Sequence, residues 1–512
     1  MRVQPAAWVV SFGSTKLRLT DVMQGEIKSV VYGVDGANIV IKGLTCDSRQ
    51  VAAGFLFAAL PGSRADGREF IGEAIARGAV AVLAGDDTSP TAVPASVPLV
   101  TTPNPRQSYA WAASRFFGNQ PTTIAAITGT NGKTSVAEFL RQIWSRAGHL
   151  AASAGTLGVR IDAHGSELHQ QPAPAANLTT PDSVDLHRML AELTGDGVQH
   201  LAIEASSHGL DQYRLDGLRI SAAAFTNLTR DHLDYHGSME VYLTAKMRLF
   251  SDLLKADGVA VVNVDDPAGA AVRAACQVRR IRVLEYGRTA NDLRLCSINP
   301  WRQGQRLELD LFGDRVQIEL PLSGPFQAMN AICALGLAIA LGESASQASA
   351  ALGHLVGAPG RVQLVGTRHN GAAVYVDYAH TPDALATVLQ ALRPHTEGNL
   401  HVVFGCGGDR DPGKRIEMGK AAARLADQVV VTDDNPRSED PRAIRRQAMK
   451  GCPGATEIGN RAEAIAYAID QLGSGDLLVV AGKGHERGQI TAGRVLPFDD
   501  VVVVQGLLGK LA

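Results

Sequence analysis

This sequence predicts an α/β chain of three domains, on three observations. Buried-strand runs alternate with segments of helical apolar spacing over most of the chain. A glycine-bearing loop joins one such strand to one such helix, and the length is 512 residues. That length suits about three domains at roughly 150 residues each, with several ordinary cores. The expected boundaries are residues 1–119, 120–357 and 358–512: a small mixed α/β domain, then two domains with largely parallel sheets.

The first domain carries short β-rich pieces, a Gly-rich turn at PGSRADGREF, a small-residue helix at IGEAIARGA and a strand at VAVLAG. The Pro- and Thr-rich TSPTAVPASVPLVTTPNPRQ is expected to run along the surface toward the second domain. From Thr122, TTIAAIT reads as a short buried strand, GTNGK as a loop and TSVAEFLRQIWSRAG as an amphipathic helix. HLAIEA, SAAAFTNL, GVAVVNV and IRVLEYG supply further strands, and residues 292–323 switch to the alternation of an antiparallel edge. The helix AMNAICALGLAIALG closes this domain, and GAPGRVQ links it to the third. There, five strands alternating with four helices predict a doubly wound, Rossmann-like sheet, in which ligands bind at the carboxyl ends of strands. VVVTDDNPR and LLVVAGKGHE both stand at such ends.

Composition narrows the class. Apolar residues make up 45% and charged residues 20%, with a formal net charge of −2. That balance is globular and gives no reason to expect nucleic acid or an anionic membrane as partner. The cysteines form no C-x-x-C pair and no histidine-spaced cluster, which argues against zinc or a disulfide scaffold and fits a reducing cytoplasm. MRVQPAAWVVSFG is too short and too weakly basic for a signal peptide, and the longest apolar run falls short of the ~20 residues of a membrane span. A soluble cytoplasmic protein without an anchor is expected.

The loop AAITGTNGKTS sets Gly129, Thr130, Asn131, Gly132, Lys133, Thr134 and Ser135 between a strand and a helix. Glycines let backbone N–H groups turn toward phosphate oxygens, and a helix N-terminus adds favourable partial charge. Lys133 can reach terminal phosphates, and the Thr134 hydroxyl can bind Mg²⁺. The pattern is a shortened G-x-x-G-K-T, with Ile127 where the full motif has glycine. Its setting gives the central domain a P-loop-type ATPase character. Glu204, ending the strand of IEASSHGLDQYRLDG, suits a Mg²⁺ ligand, with a polar strand-to-helix turn as the plainer reading. TNLTRDHLDYHGSMEVYLTAKMRLF adds Asp231, His232, Asp234, His236 and Lys246, and spacing alone assigns Lys246 no role. DYAHTPDAL brings Asp377 and His380 to a strand end, and FGCGGDRDPGKR brings Gly407, Gly408, Asp409, Arg410, Lys414 and Arg415 to another.

Taken together, ITGTNGKT, NLTTPDSVDL, EASSHGLDQYR, TNLTRDHLDYHGSMEVYLTAKMRLF, GAPGRVQ, VDYAHTPDAL, GCGGDRDPGKR, DDNPRSEDP and AGKGHE occur in one family's order. The chain resembles the ATP-dependent Mur ligases of peptidoglycan synthesis over essentially its whole length, and within them the MurE type. The resemblance implies an ADP-forming acid–amino-acid ligase that adds meso-2,6-diaminopimelate to UDP-N-acetylmuramoyl-L-alanyl-D-glutamate through an acyl phosphate. It implies ATP as substrate and Mg²⁺ as cofactor. It further implies small-molecule partners only and a monomer.

Residue by residue, the resemblance implies that Lys246 is carbamylated and holds Mg²⁺ with Thr134, Glu204 and His232. Lys133 joins Glu204, His232 and Lys246 as catalytic. Asn330, Arg361, Asp377 and His380 join the loop in binding ATP. Ser48, Ser63, Arg64, Ala65, Thr179, Thr180, Ser206, Gln212 and Arg214 would hold the UDP-substrate. Arg410, Asp434, Asn435, Pro436, Arg437, Gly482 and Glu486 would hold the amino acid. Arg437 can pair bidentately with a carboxylate, which favours diaminopimelate over L-lysine, since lysine has no distal carboxylate. The alternatives are an L-lysine-adding ligase, another enzyme of this architecture such as a folylpolyglutamate synthase, and a catalytically silent ATP-binding regulator of cell-wall metabolism. GHERGQI departs from the commoner GHEDYQ after Glu486, and residues before about 25 precede the matching region.

Overall fold

The structure is a computed structural model that describes residues 17–24, 30–32, 38–62, 65–163, 166–171 and 178–510; the side chains of 30–32, 163, 166–171 and 510 are excepted. It comprises two compact units. One holds Met1–Thr122, Thr180–Val198 and Ser207–Arg219; the other holds Thr123–Thr179, Gln199–Ser206 and Ile220–Ala512.

In the first unit the described residues form a five-stranded sheet in the order Val30–Tyr32, Leu99–Thr102, Ala79–Gly85, Phe55–Ala58, Gly43–Thr45. All neighbours are parallel except Val30–Tyr32 against Leu99–Thr102. This corrects part of the reading of the Pro- and Thr-rich segment as a surface run: residues 89–92 and 94–96 are exposed, but Leu99–Thr102 is a buried strand. Leu99 and Val100 are fully buried within the sheet. Pro98 and Pro103 stand just outside the strand, where no ladder N–H is required, so prolines in the composition conceal a strand they merely bracket. Asn104 then caps the helix Pro105–Phe117, its side chain accepting from the Gln107 N–H at 3.1 Å.

The second unit contains, among the described residues, an eleven-stranded sheet. Its parallel centre runs Ala151–Gly155, His200–Glu204, Thr123–Thr128, Ile220–Phe225, Leu254–Asn263, Arg282–Gly287. The antiparallel edge expected at 292–323 is present as Leu293–Trp301, Gly304–Leu311 and Asp314–Leu320. The opposite edge, Gly158–Ala163 and Ser166–Gln171, is also antiparallel and was not anticipated. Helices Lys133–Arg146 and Pro325–Ala340 share one core: Val136, Phe139, Leu140, Ile143 and Trp144 pack with Ile332, Leu335 and Leu337. Full burial of side chains this large contributes roughly 1.5–3 kcal/mol each. That packing fixes the start of the helix that follows the glycine loop. A further helix, Ala345–Leu352, follows Pro325–Ala340, so the long apolar helix does not end the central region.

Beyond it lies a six-stranded sheet in the order Gln363–Thr367, Ala373–Asp377, Leu477–Ala481, Leu400–Cys406, Gln428–Asp433, Thr456–Glu457. Only the first pair is antiparallel. The doubly wound expectation holds; the described residues add the strand Gln363–Thr367, which begins at the last residue of the linker, and a helix at Asp500–Lys510. The carboxyl ends of four strands bring Asp377, Gly482, Gly407 and Asp434 to one rim. Arg461, fully enclosed, ties the last helix to that rim. Its Nε and Nη2 each donate to Asp500 at 2.7 Å, and Nη2 donates to the Ala481 carbonyl at 3.0 Å.

Candidate active site

Between Thr128 and the helix Lys133–Arg146 the chain turns through two positive-φ glycines, Gly129 at 146° and Gly132 at 89°. A β-carbon on Gly132 would stand 2.4 Å from Asn330 Oδ1. Asn330 is itself held by Gln327 Oε1, which accepts from its Nδ2 at 3.1 Å. The left-handed conformation costs a non-glycine residue about 1–2 kcal/mol. Gly132→Ala is therefore expected to lower thermal stability and blunt the stabilisation that added ATP confers. A melting scan with and without ATP tests this; unchanged values on both counts would dismiss the steric account.

Lys133 curls over this loop, its Nζ donating to the carbonyls of Gly129 (2.9 Å) and Thr130 (2.8 Å). Both acceptors are neutral, so the charge is not consumed by a carboxylate in direct contact. Burial lowers the Lys133 pKa, with nearby Glu204 opposing. Glu204, 2% exposed, accepts from Thr134 Oγ1 (3.0 Å), from the Thr156 N–H (2.8 Å) and from Thr156 Oγ1 (3.2 Å). Burial raises its pKa, and Lys133 is the largest opposing influence. Lys246, on helix Met239–Arg248, is 1% exposed. Its Nζ donates to the Gly129 carbonyl at 2.8 Å and lies 4.3 Å from the centre of the Tyr242 ring. Burial, reinforced by Lys133, holds it well below the usual lysine range. His232 adopts φ 51° in an exposed loop, 3.4 Å from Asp231 and 6.1 Å between ring centres from Tyr242. Lys133, Thr134, Glu204 and Lys246 thus converge, with His232 beyond Tyr242.

Among the described residues no three His, Cys, Asp or Glu side chains converge as a metal cluster. One carboxylate with one hydroxyl is the donor set of a hard cation that keeps much of its water and leans on substrate phosphates, which fits Mg²⁺ rather than a transition metal. At the start of helix Pro325–Ala340 a cavity of about 310 Å³ is lined by Asn263, Asp265, Asp266, Arg288, Phe326 and Met329, among others.

Arg361 connects the loop to the six-stranded sheet. Gln327 Nε2 donates to its carbonyl at 3.0 Å, and its guanidinium lies 4.8 Å from the Tyr378 ring centre. Asp377 is buried and accepts from the N–H groups of Val362 and Ala379, each at 2.7 Å; burial raises its pKa, with Arg361 opposing. His380 bonds the Tyr378 carbonyl through Nδ1 at 2.8 Å, close to the Tyr378 ring.

At the rim, Arg437 sits at φ 53°, held in place by its backbone. Its N–H donates to Ile490 (2.9 Å), and its carbonyl accepts from Ala492 (2.7 Å). The hairpin Gly488–Thr491 with Arg494–Pro497 thereby supports a strained residue. Arg437 Nη1 donates to the Gly408 carbonyl at 2.7 Å. Among the described residues no carboxylate forms an ion pair with it, so one guanidinium edge stays available. Gly408 leaves no room for a side chain, since a β-carbon would stand 1.9 Å from the Pro436 carbonyl. Asn435 and Asp434 are buried, Gly482 abuts Asp434 Oδ2, and Arg410 is exposed beside Gly407. Asn435 makes three hydrogen bonds within the protein and keeps one amide N–H without a bonded partner among the described residues. Its Nδ2 donates to Glu486 Oε2 (2.8 Å), and its Oδ1 accepts from Lys483 Nζ (3.1 Å) and the Ile490 N–H (3.0 Å).

In the first unit, Arg214 Nη1 donates to the Thr180 carbonyl (2.7 Å), and Arg214 Nη2 to Gln212 Oε1 (2.6 Å), so these three stand together. Ser48 donates to Glu73 at 2.9 Å. Ala65 lies in an exposed turn, its carbonyl accepting from Gly62 at 3.1 Å, while Ser63 and Arg64 lie outside the described residues. Thr179 and Ser206 belong to the second unit, Thr179 Oγ1 lying 3.3 Å from Thr156 Oγ1.

Sequence reading missed Thr156 and Lys483. Thr156 stands in the turn that joins Ala151–Gly155, in the parallel centre, to Gly158–Ala163, the first strand of the unanticipated edge. Lys483 was detectable as a lysine directly after the fully apolar strand of LLVVAG, where no solvated face is available.

A phosphate loop, a buried carboxylate–lysine pair and a charged rim on a second α/β sheet together define an ATP-utilising ligase architecture. The chain matches the Mur ligase family catalytic domain over residues 40–117, the Mur ligase middle domain over 127–338 and the Mur ligase glutamate ligase domain over 360–484. It belongs to the Mur ligase family. It is 52% identical over 471 residues to the UDP-N-acetylmuramoyl-L-alanyl-D-glutamate--2,6-diaminopimelate ligase of Caulobacter vibrioides, covering 92% of this chain and 96% of that one. The ligase of the same name from Agrobacterium fabrum is 51% identical over 491 residues, covering 95% and 96%. A solved structure of a ligase of that name superposes with a TM-score of 0.72 at 35% identity, over 97% of this chain and 99% of that one. MurF from Acinetobacter baumannii shares the fold, with a TM-score of 0.60 at 20% identity over 92% and 94%.

Proposed function

We propose that this chain joins meso-2,6-diaminopimelate to UDP-N-acetylmuramoyl-L-alanyl-D-glutamate with ATP, in cytoplasmic peptidoglycan precursor synthesis. The observation that carries the choice of amino acid is Arg437, a guanidinium without a carboxylate partner among the described residues, fixed at the rim beside Asn435 and Glu486. About 50% identity to relatives bearing that activity in their names supports the same reading.

ATP transfers its γ-phosphoryl group to the D-glutamate carboxylate of the substrate. The bond from that phosphorus to ADP breaks and an acyl phosphate forms. The diaminopimelate amine attacks the acyl carbon and loses a proton; the carbon–oxygen bond to phosphate breaks, leaving an amide and phosphate. Lys133 exchanges its two neutral carbonyl acceptors for phosphate oxygens, a stronger charge-assisted contact. Gly129 to Ser135 receive the phosphates, the cavity at the start of helix Pro325–Ala340 takes the base, and Asn330, Arg361, Asp377 and His380 join in holding the nucleotide.

Thr134, Glu204, His232 and Lys246 would hold Mg²⁺, which when bound neutralises phosphate charge. Lys246 serves there as a carbamate. Its lowered pKa makes the ammonium easier to deprotonate, and the free amine adds CO₂ to give a carbamate anion and one proton, turning a poor metal donor into an oxygen ligand. Ser48, Ser63, Arg64, Ala65, Thr179, Thr180, Ser206, Gln212 and Arg214 hold the UDP-muramoyl dipeptide. Arg410, Asp434, Asn435, Pro436, Arg437, Gly482 and Glu486 frame the amino acid, with Asn435 also supporting Glu486. The protein acts as a monomer in the cytoplasm. Among the described residues no helix is long and apolar enough to cross a membrane, and the cysteines are free thiols.

The test is phosphate release with Mg²⁺, ATP and UDP-N-acetylmuramoyl-L-alanyl-D-glutamate. Release should require an added amino acid and should favour meso-diaminopimelate over L-lysine. Equal use of lysine would overturn the choice of amino acid, and release without any dipeptide substrate would overturn the ligase reading.

A further inference from the structure

Lys483 is fully buried at the floor of the rim that carries Arg437. Its Nζ donates to Asn435 Oδ1 at 3.1 Å and to Glu486 Oε2 at 3.0 Å, and stands 4.0 Å from Asp434 Oδ1. Glu486 accepts through the same oxygen from Asn435, so Oε2 is consumed inside the protein while Oε1 has no bonded partner among the described residues. The neighbouring buried cations are committed elsewhere: Arg461 to Asp500, and Arg415 to both oxygens of Glu439 at 2.9 and 2.8 Å. Lys483 is thus the cation in contact with the two acids of the rim.

We propose that Lys483 is a specificity-determining positioning residue for the amino acid: it cancels one of the two negative charges of Asp434 and Glu486 and aims the remaining carboxylate oxygen outward. This inference rests on the proposed diaminopimelate reading and adds to it a means of rejecting lysine. With Lys483 in place the rim offers Arg437 and Arg410 against one uncompensated acid, which suits a distal group carrying both a carboxylate and an ammonium. Without it the rim carries two acids in a partly desolvated site, where charge is felt strongly. Such a rim favours the net-cationic L-lysine and repels a second carboxylate. Lys483 also fixes the Asn435 amide, since an oxygen that accepts from both Lys483 and Ile490 cannot be flipped.

The experiment compares kcat/KM for meso-diaminopimelate and L-lysine in wild type, Lys483→Met, Lys483→Arg and Lys483→Met/Glu486→Gln. Lys483→Met should shift the diaminopimelate-to-lysine ratio at least tenfold toward lysine, chiefly through the amino-acid KM, with the KM for ATP little changed. Lys483→Arg, which keeps the charge, should retain most of the discrimination. Adding Glu486→Gln to Lys483→Met should reverse part of the shift by removing an uncompensated acid. If Lys483→Met does not fold, Lys483→Arg and the double variant still decide: a lysine preference in the charge-retaining variant overturns the proposal. An unchanged ratio in Lys483→Met also overturns it. Wild type that uses neither amino acid would instead sink the diaminopimelate reading itself, a separate result.

Discussion

Lys246→Met is expected to abolish turnover and at the same time make the ligand-free protein more stable. Lys246 is enclosed beside Lys133 with a backbone carbonyl and an aromatic face as its contacts. Burial holds its pKa well below 10.5. A base whose folded pKa lies below its unfolded value binds fewer protons when folded. Stability therefore rises with pH across the window between the two pKa values, and below the folded one the full penalty applies. Near neutral pH the lysine therefore costs stability, and an apolar side chain of similar length removes that cost. The carbonyl it leaves is still satisfied by Lys133 at 2.9 Å. A gain of about 1–2 kcal/mol is the expected size for relieving such a buried polar group. It should fade above about pH 10.5, where the unfolded lysine is neutral as well.

Activity should fall by about 10²–10³-fold or more, the usual loss when one preorganised group at a developing charge is removed. Thermal unfolding in CO₂-free buffer at two pH values, with phosphate release alongside, reads both effects. A destabilised variant would contradict the burial account, and a fully active one would remove Lys246 from the site.

Arg437→Ala should cost about 2–5 kcal/mol of transition-state binding, or roughly 30- to 4,000-fold in kcat/KM for diaminopimelate. Its backbone is pinned by two hydrogen bonds to the Gly488–Thr491 and Arg494–Pro497 hairpin, so the side chain reaches the rim preoriented. The loss should appear in the amino-acid KM and kcat/KM, with nucleotide binding intact. Alanine also inherits the φ of 53°, so a small stability loss accompanies it. Arg437→Lys separates the two effects, because it keeps a charge on the same backbone but forfeits the bidentate fork. Intermediate activity is expected for Arg437→Lys. Equal activity in all three proteins would reduce Val429–Pro441 to a charged turn.

Much of the site was readable because its chemistry is local. Gly129 to Ser135 lie in one stretch, and a strand, glycines and a helix N-terminus make a phosphate site wherever they occur in that order. Glu204 and Asp377 were readable as carboxylates ending apolar runs. The residues that were missed act across the chain. Thr156 matters because Glu204 is on a neighbouring strand, and Lys483 because a separate loop brings Asn435 against it. Asn435, a ligand contact in the sequence reading, also braces Glu486 from within, a role that depends on which partners its amide meets. The buried strand Leu99–Thr102 escaped notice because the prolines around it dominate the composition.

Contiguous residues carry the α/β class, the order of strands and helices in most of the chain, the phosphate loop and the family. Periodicity and short-range backbone geometry are properties of contiguous residues. Which charges stay free depends on long-range packing. Arg437, Arg415 and Arg461 are alike as letters, yet Glu439 and Asp500 occupy two of them and leave Arg437 its open edge. Lys133 and Lys246 likewise owe their lowered pKa values first to enclosure and then to a nearby cation, Arg361 for Lys133 and Lys133 for Lys246. Burial and long-range pairing set the electrostatics of a site, and neither is encoded in the residues adjacent to it.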